Sequence, residues 1–237
     1  MKLGKSDISG HLSSWTAQYL GFPYPDGGTM MASAQERAKV LVEALPYIKE
    51  FYGKTIVIKY GGHAMLASDL KEAVFTDIVL MKYVGMNPVI VHGGGPDITS
   101  MLEKLGKESK FVCGLRVTDQ ETMDIAQMVL VGKINKEIVT KINRLGGRAV
   151  GLSGQDDNLF EAVKKYHRSC AVDGSVELID IGFVGNITKV NPEIVTAIIQ
   201  QGCIPVVSPV AVGSAGETYN VNADHAAGKL AAALGSD

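Results

Sequence analysis

From residue 54 onward, short apolar runs alternate with amphipathic helical stretches, and that order limits how the chain can fold. Thr55 to Lys59 reads as a buried strand, Asp69 to Val84 as a helix stopped by Gly85, and Pro88 to Val91 as a second buried strand. Strand, helix, strand means a parallel sheet, so the spacing predicts an α/β fold: a three-layer α-β-α sandwich around a mainly parallel open sheet. Pro96 takes the first position of the next helix, with Ile98, Met101, Leu102 and Leu105 on one face and Gly106 at its end. Thr118 and Glu121 read as a capping box opening a long helical stretch that Gly132 can interrupt and Gly146-Gly147 closes. Arg148 to Ser153 follows as a further strand.

Residues from about 160 to 190 have a different rhythm. The short alternating runs Leu159 to Lys164, Glu177 to Ile181 and Gly185 to Val190, broken by Asp173-Gly174 and Gly182, predict antiparallel hairpins covering a site. A helix from Pro192 to Gln201, a strand from Ile204 to Val207 and a helix from Asn222 to Leu234 return to the α/β pattern. A parallel strand is due after that last helix, so the pattern reads as an α/β unit short of its final strands.

At the other end, residues 1–30 carry scattered aromatics with no period and read as a flexible or appended arm. Ser33 and Glu36 form an S-x-x-E capping box, and Ala38, Leu41, Leu45 and Ile48 follow at helical spacing. Pro46 falls inside that helix and predicts a kink. The expected organisation is an arm over 1–30, a kinked helix over 31–53 and an α/β lobe over 54–237.

Charge narrows the function. With 23 basic against 25 acidic side chains the net charge is −2, and no basic stripe points to nucleic acid or an anionic membrane. The longest apolar runs are too short and interrupted to span a bilayer. Cys113, Cys170 and Cys203 make neither a CxxC pair nor a ligand pattern with the five histidines, which reads as free thiols in a reducing cytoplasm. The first thirty residues have neither the charged start and apolar block of a signal peptide nor a transit-peptide pattern.

Two glycine clusters follow strands: Lys59-Tyr60-Gly61-Gly62 and His92-Gly93-Gly94-Gly95-Pro96. Both fall at carboxyl ends of strands, where open α/β sheets bind ligands. The second opens a helix, whose amides and dipole favour an anion. Glycines there can equally serve as tight turns. The G-x-G-x-x-G order of a dinucleotide site and the Lys-Ser or Lys-Thr of a Walker loop are both missing, so a phosphate site here is of another type. Lys59 ends an apolar strand directly before two glycines and would point into the same crevice, or snorkel to solvent. A carboxylate acceptor is already ionised at neutral pH and needs no general base, so lysine and glycine amides would suffice on the acceptor side of phosphoryl transfer.

Taken with Gly114-Leu115-Arg116-Val117-Thr118-Asp119, Met128-Val129-Leu130-Val131-Gly132-Lys133-Ile134-Asn135 and Tyr219-Asn220-Val221-Asn222-Ala223-Asp224, these motifs resemble the N-acetylglutamate kinases of the amino-acid kinase family from about residue 38 onward. The resemblance implies that Lys59 stabilises the transferring phosphoryl group and Asp224 orients the catalytic lysine, while amides near Gly62 and in Gly93-Gly94-Gly95 bind the same group and the substrate. Arg116 would hold the α-carboxylate and Asn220 the acylated nitrogen end. Otherwise Arg116 reads as a surface arginine, Asn220 as a turn residue and Asp224 as charge at a helix N-terminus. The implied substrates are N-acetyl-L-glutamate and ATP with Mg2+, the pathway arginine biosynthesis. A homodimer or hexamer interlaced through the N-terminal helix and inhibition by arginine are implied as well. Relatives continue beyond the equivalent of Asp237 with nucleotide-binding elements, so this chain is expected to supply mainly the acceptor half. A kinase for N-acetyl-aminoadipate or free glutamate, or a non-catalytic binding module, shares the same motifs.

Overall fold

A computed structural model describes residues 33–236 apart from 66, 67, 113 and 171–175. The arm expected over 1–30, Cys113 and the Asp173-Gly174 turn lie outside the described residues.

Helix α1 (Ala34–Phe51) opens on the expected box: Ser33 Oγ accepts from the Glu36 amide at 3.2 Å and the Glu36 carboxylate accepts from the Ser33 amide at 2.5 Å. It continues through Pro46 to Phe51, so the proline does not end the helix. Strand β1 (Thr55–Tyr60), α2 (Ser68–Tyr83) and β2 (Asn87–His92) form the first strand-helix-strand unit, followed by α3 (Gly95–Lys104). A short ribbon, β3 (Phe111–Val112) with β4 (Leu115–Arg116), leads into α4 (Gln120–Gln127), a π-helical segment over Met128–Ile134 and α5 (Asn135–Arg144). Then come β5 (Ala149–Ser153), the long strands β6 (Phe160–Cys170) and β7 (Val176–Val190), α6 (Glu193–Gln200), β8 (Ile204–Ser208), β9 (Val210–Val212), β10 (Thr218–Asn220) and α7 (Ala223–Leu234).

The main sheet has the order β1-β2-β8-β5, with every pairing parallel. Alternate side chains feed two cores, as the two-residue period of a strand requires. Ile90, Ile204 and Val206 pack with Phe75, Ile78 and Val79 of α2 and with Ile138 and Ile142 of α5. Val89, Val91 and Val207 face the other way, onto Val195 of α6 and Ala226, Ala227 and Leu230 of α7. Burying one such valine, leucine or isoleucine contributes about 1.5–3 kcal/mol. Both faces of the sheet are therefore covered, which is the condition for an all-parallel sheet. Among the described residues, no helix is long and apolar enough to cross a membrane.

Three sequence expectations change. Several hairpins were expected between 160 and 190; instead β6 and β7 form one long antiparallel hairpin, with register shifts at Glu161/Ala162 and Lys164/Tyr166. Such bulges bend a ribbon, and this one closes with β9 and β10 into a small mixed sheet of order β10-β7-β6-β9. The cap of α4 is Asp119, whose carboxylate accepts from the Thr122 amide at 2.8 Å, and not Thr118. The bonds from Thr122, helped by Lys107, hold the Asp119 carboxyl down at about 2. Thr118 is fully buried instead and pairs with Gly182 in an isolated parallel bridge, its hydroxyl donating to the Arg116 carbonyl. Finally, Gly132 does not interrupt the helical stretch; it lies within a π-helical turn, and the helix runs on into α5.

The Thr118–Gly182 bridge joins the short ribbon to the long hairpin, and it needs glycine. Gly182 has φ +78, and a Cβ there would lie 2.0 Å from the Thr118 carbonyl oxygen. Gly182→Ala should destabilise the fold by about 2 kcal/mol, from overpacking and left-handed backbone together, read as a lower urea midpoint with an unchanged slope. An unchanged midpoint would mean that the ribbon and hairpin move apart freely.

Candidate active site

The register of β1 on β2 builds the site. Lys59 lies opposite Val91 and Tyr60 opposite His92, and the Gly93 amide donates to the Tyr60 carbonyl at 2.8 Å. The two glycine turns thus leave the sheet side by side at its carboxyl edge. Between them opens a cavity of about 250 Å³ lined by Lys59, Gly62, Gly93, Gly94, Gly95, Arg116, Asn220 and Asp224, all eight of the residues singled out in the sequence. Gly61, Phe111, Leu115, Leu130, Val184, Pro209 and Asn222 complete much of the wall.

Each glycine of the turns has its own reason. A Cβ on Gly61 would lie 3.1 Å from both Cε and Nζ of Lys59, so its absence leaves room for the lysine head. A Cβ on Gly94 would fall 2.4 Å from Ile134 Cδ1 and 2.7 Å from Leu130 Cδ2. Gly94 has an extended backbone, φ 177, so the requirement there is space. Gly62 has φ +64 and serves the turn itself. The second cluster leads directly into α3, with Gly94 as its cap, so the positive end of that helix faces the cavity rim.

Lys59 does not snorkel free. Its Nζ lies 3.1 Å from Asp224 Oδ1, in the first turn of α7. With the two side chains 33% and 68% exposed, this pair adds little to stability; it fixes where the ammonium points. Asn222 caps the same helix, its carboxamide oxygen accepting from the His225 amide at 3.0 Å. Asn220 ends β10, between Val210 of β9 and Val184 of β7.

Arg116 is only 8% exposed and is therefore not the surface arginine its sequence context allows. Its guanidinium donates to Ser109 Oγ at 2.5 Å, to the Gly95 carbonyl at 2.9 Å and to Thr99 Oγ1 at 2.8 Å, and it stacks 4.7 Å from the Phe111 ring centre. All these partners are neutral. No carboxylate among the described residues pairs with it. Burial pulls its pKa down, yet a guanidinium stays charged at any ordinary pH. A desolvated cation on a cavity wall, already aimed by neutral bonds, is suited to bind an anion.

Sequence reasoning did not find Thr99 and Ser109, which aim Arg116, nor the pair of His92 and Asn135 beneath the second turn. His92 carried a signal, as a histidine closing an apolar strand before glycines. Asn135 closes the Met128–Asn135 motif, which carried no sign of this contact. His92 is fully buried, and burial pushes its pKa down to about 4.

A profile of the amino acid kinase family matches residues 54–237, and the chain belongs to that family. Acetylglutamate kinases are among its relatives. That of Pelotomaculum thermopropionicum is 69% identical over 207 residues, covering 87% of this chain and 70% of the relative. That of Desulfitobacterium hafniense is 60% identical over 209 residues, covering 88% and 70%. This chain thus spans about 70% of the length of these relatives. Among solved structures, N-acetylglutamate synthase from Neisseria gonorrhoeae, complexed with coenzyme A and N-acetyl-glutamate, has a TM-score of 0.65 at 22% identity. That likeness covers 84% of this chain and 43% of the synthase and is one of fold.

The buried histidine gives stability a pH signature. Unfolded, His92 would protonate near pH 6.5; folded, it resists until about 4, so between those values the unfolded chain holds the extra proton. Stability should fall as pH drops from about 6.5 to about 4, by on the order of 3 kcal/mol over the window. Urea unfolding between pH 4 and 7 checks this, because His92→Asn should flatten the slope. Equal slopes in both proteins would assign the effect to another group.

Proposed function

We infer that this chain acts as an acetylglutamate kinase of arginine biosynthesis, in which the side-chain carboxylate of N-acetyl-L-glutamate takes the γ-phosphoryl group of ATP. The observation that carries this reading is the meeting of all eight sequence-chosen residues on one cavity. Relatives from 55% to 69% identical carry the same activity in their names.

The chemistry follows from charge and position. An oxygen of the ionised carboxylate attacks the γ-phosphorus, the bond to the bridging oxygen breaks, and the products are an acyl phosphate and ADP. No proton needs to be removed, so the residues act by holding charge in place. Lys59, aimed by Asp224, would sit against the oxygens of the transferring group, and the amides of the two glycine turns would share that load. Arg116 would take the α-carboxylate in a two-pronged grip, and Asn220 would bond the acetamido group. The long hairpin, through Val184, and the short ribbon, through Phe111 and Leu115, would cover the acceptor.

Magnesium would enter on the phosphates of ATP, the usual way a nucleotide brings it. Helix α1 exposes Val40, Leu41, Val42 and Leu45, each more than half accessible, which supports assembly as a homodimer or hexamer; arginine control is carried over from the resemblance alone. On this reading α1 assembles the oligomer, residues 54–237 bind the acceptor, and the enzyme works in the cytoplasm.

Calorimetry tests the acceptor: N-acetyl-L-glutamate should bind saturably while L-glutamate does not, and Arg116→Ala should weaken that binding and raise KM more than it lowers kcat. Equal binding of both acids would sink the substrate assignment. Lys59→Ala should lower turnover roughly a hundredfold, the scale of losing one preorganised donor to the transition state. Acyl phosphate, trapped with hydroxylamine, reads this directly; an unchanged rate would remove Lys59 from the mechanism.

A further inference from the structure

One buried contact acts on the cavity without touching it. The Nδ1 atom of His92 lies 3.0 Å from the carbonyl oxygen of Gly93. A carbonyl only accepts, so Nδ1 carries the proton. Nε2 lies 3.3 Å from Asn135 Nδ2 and must accept. The orientation of that carboxamide is fixed by its other partners. Its nitrogen lies 2.9 Å from the Val206 carbonyl and 3.2 Å from the Leu152 carbonyl, so with two hydrogens for three acceptors one N–H is shared between the Leu152 carbonyl and Nε2 of His92, and its oxygen accepts from Lys136 Nζ at 3.1 Å. A flipped amide would set oxygen against two carbonyls. Space has been left for it too, since a Cβ on Gly151 would fall 1.9 Å from Asn135 Oδ1. One side chain thus reaches β2, β5 and β8, and at β2 it supports the Nδ1–H tautomer that the Gly93 carbonyl selects.

That choice reaches the cavity through one peptide unit. The Gly93–Gly94 peptide is trans and planar, so with its carbonyl held by His92 its N–H must point the opposite way. Gly94 lines the cavity, and among the described residues nothing accepts from its amide. The residues just before Asn135 bear on the same turn: Ile134 fills the space beside Gly94, and Lys133 pairs with Asp97, in the first turn of α3, at 2.7 Å. We propose that Asn135 is a positioning residue for this turn: by donating to Nε2 of His92 it keeps the proton on Nδ1, which holds the Gly93 carbonyl and aims the Gly94 amide at the reacting group. The inference rests on the reading of this turn as part of the phosphoryl-transfer site.

Asn135→Asp keeps the shape but removes the donor, so His92 should move its proton to Nε2 and release the Gly93 carbonyl. In 15N-histidine NMR, the neutral Nδ1–H signature of His92 in the natural protein should become Nε2–H in the variant, with the Gly94 amide resonance shifted. Turnover of N-acetyl-L-glutamate should fall roughly tenfold to a hundredfold, the scale of a slightly misplaced donor, with KM little changed. His92→Asn, whose amide nitrogen takes the place of Nδ1, should keep most of the turnover, and His92→Gln, which fills only the Nε2 position, should lose it. An unchanged tautomer in Asn135→Asp, unchanged turnover there, or equal rates for Asn and Gln at position 92 would overturn the proposal. If Asn135→Asp does not fold, the two His92 variants decide. If the natural protein turns over no N-acetyl-L-glutamate, the functional reading fails, and the tautomer and the Gly94 resonance still decide this one.

Discussion

The in-register parallel pairing of β1 with β2 is the constraint on which the rest of the structure depends. It sets Tyr60 beside His92, and therefore brings two glycine turns, one behind a lysine and one ahead of a helix, to the same edge of the sheet. A slip of one residue would turn every side chain of a strand to the opposite face. In β2 both faces are buried, Ile90 in one core and Val89 and Val91 in the other, so the register is held by the packing of particular side chains in each core. The apolar core thereby shapes the cavity it borders, with Ile98 and Leu130 of one core and Val221 of the other in its wall.

Charge in that cavity is arranged asymmetrically. Lys59 has its own carboxylate, which aims it and partly offsets its field, while Arg116 is held only by hydroxyls, a carbonyl and an aromatic face. A buried cation with a built-in counter-ion has little left to offer a ligand; one held by neutral donors and acceptors keeps its full charge for an arriving anion. The more exposed lysine, in turn, can shift between Asp224 and a group whose charge changes during reaction. Two cations on one wall therefore suit different tasks, steady grip and changing load.

Much of this was legible along the chain because it is written in local signals. Strand and helix periods gave the parallel sheet, the capping box gave the start of α1, Asn222 gave the start of α7, and glycines after strands marked the cavity. Where two caps competed, the sequence misled: Thr118 and Asp119 are both good caps, and the choice fell to Asp119 because a backbone pairing with Gly182 draws Thr118 into the interior. The fusion of the expected short hairpins into one ribbon depends on bulges that no local pattern marks. The contacts of Asn135 were invisible for a similar reason, since its partners are up to 71 residues away and its fit depends on a missing Cβ at Gly151.

The π-helical turn over Met128–Ile134 sets the rotational phase between the helix before it and the helix after it. In plain α geometry each residue advances about 100° around the axis. Losing or gaining one residue in this stretch would therefore swing Asn135 off the strands and carry Ile138 and Ile142 out of the core in the same movement. Exposed positions such as Met128 and Gly132 are free to change in kind. The number of residues between them is not, so along this segment length is under tighter physical constraint than identity.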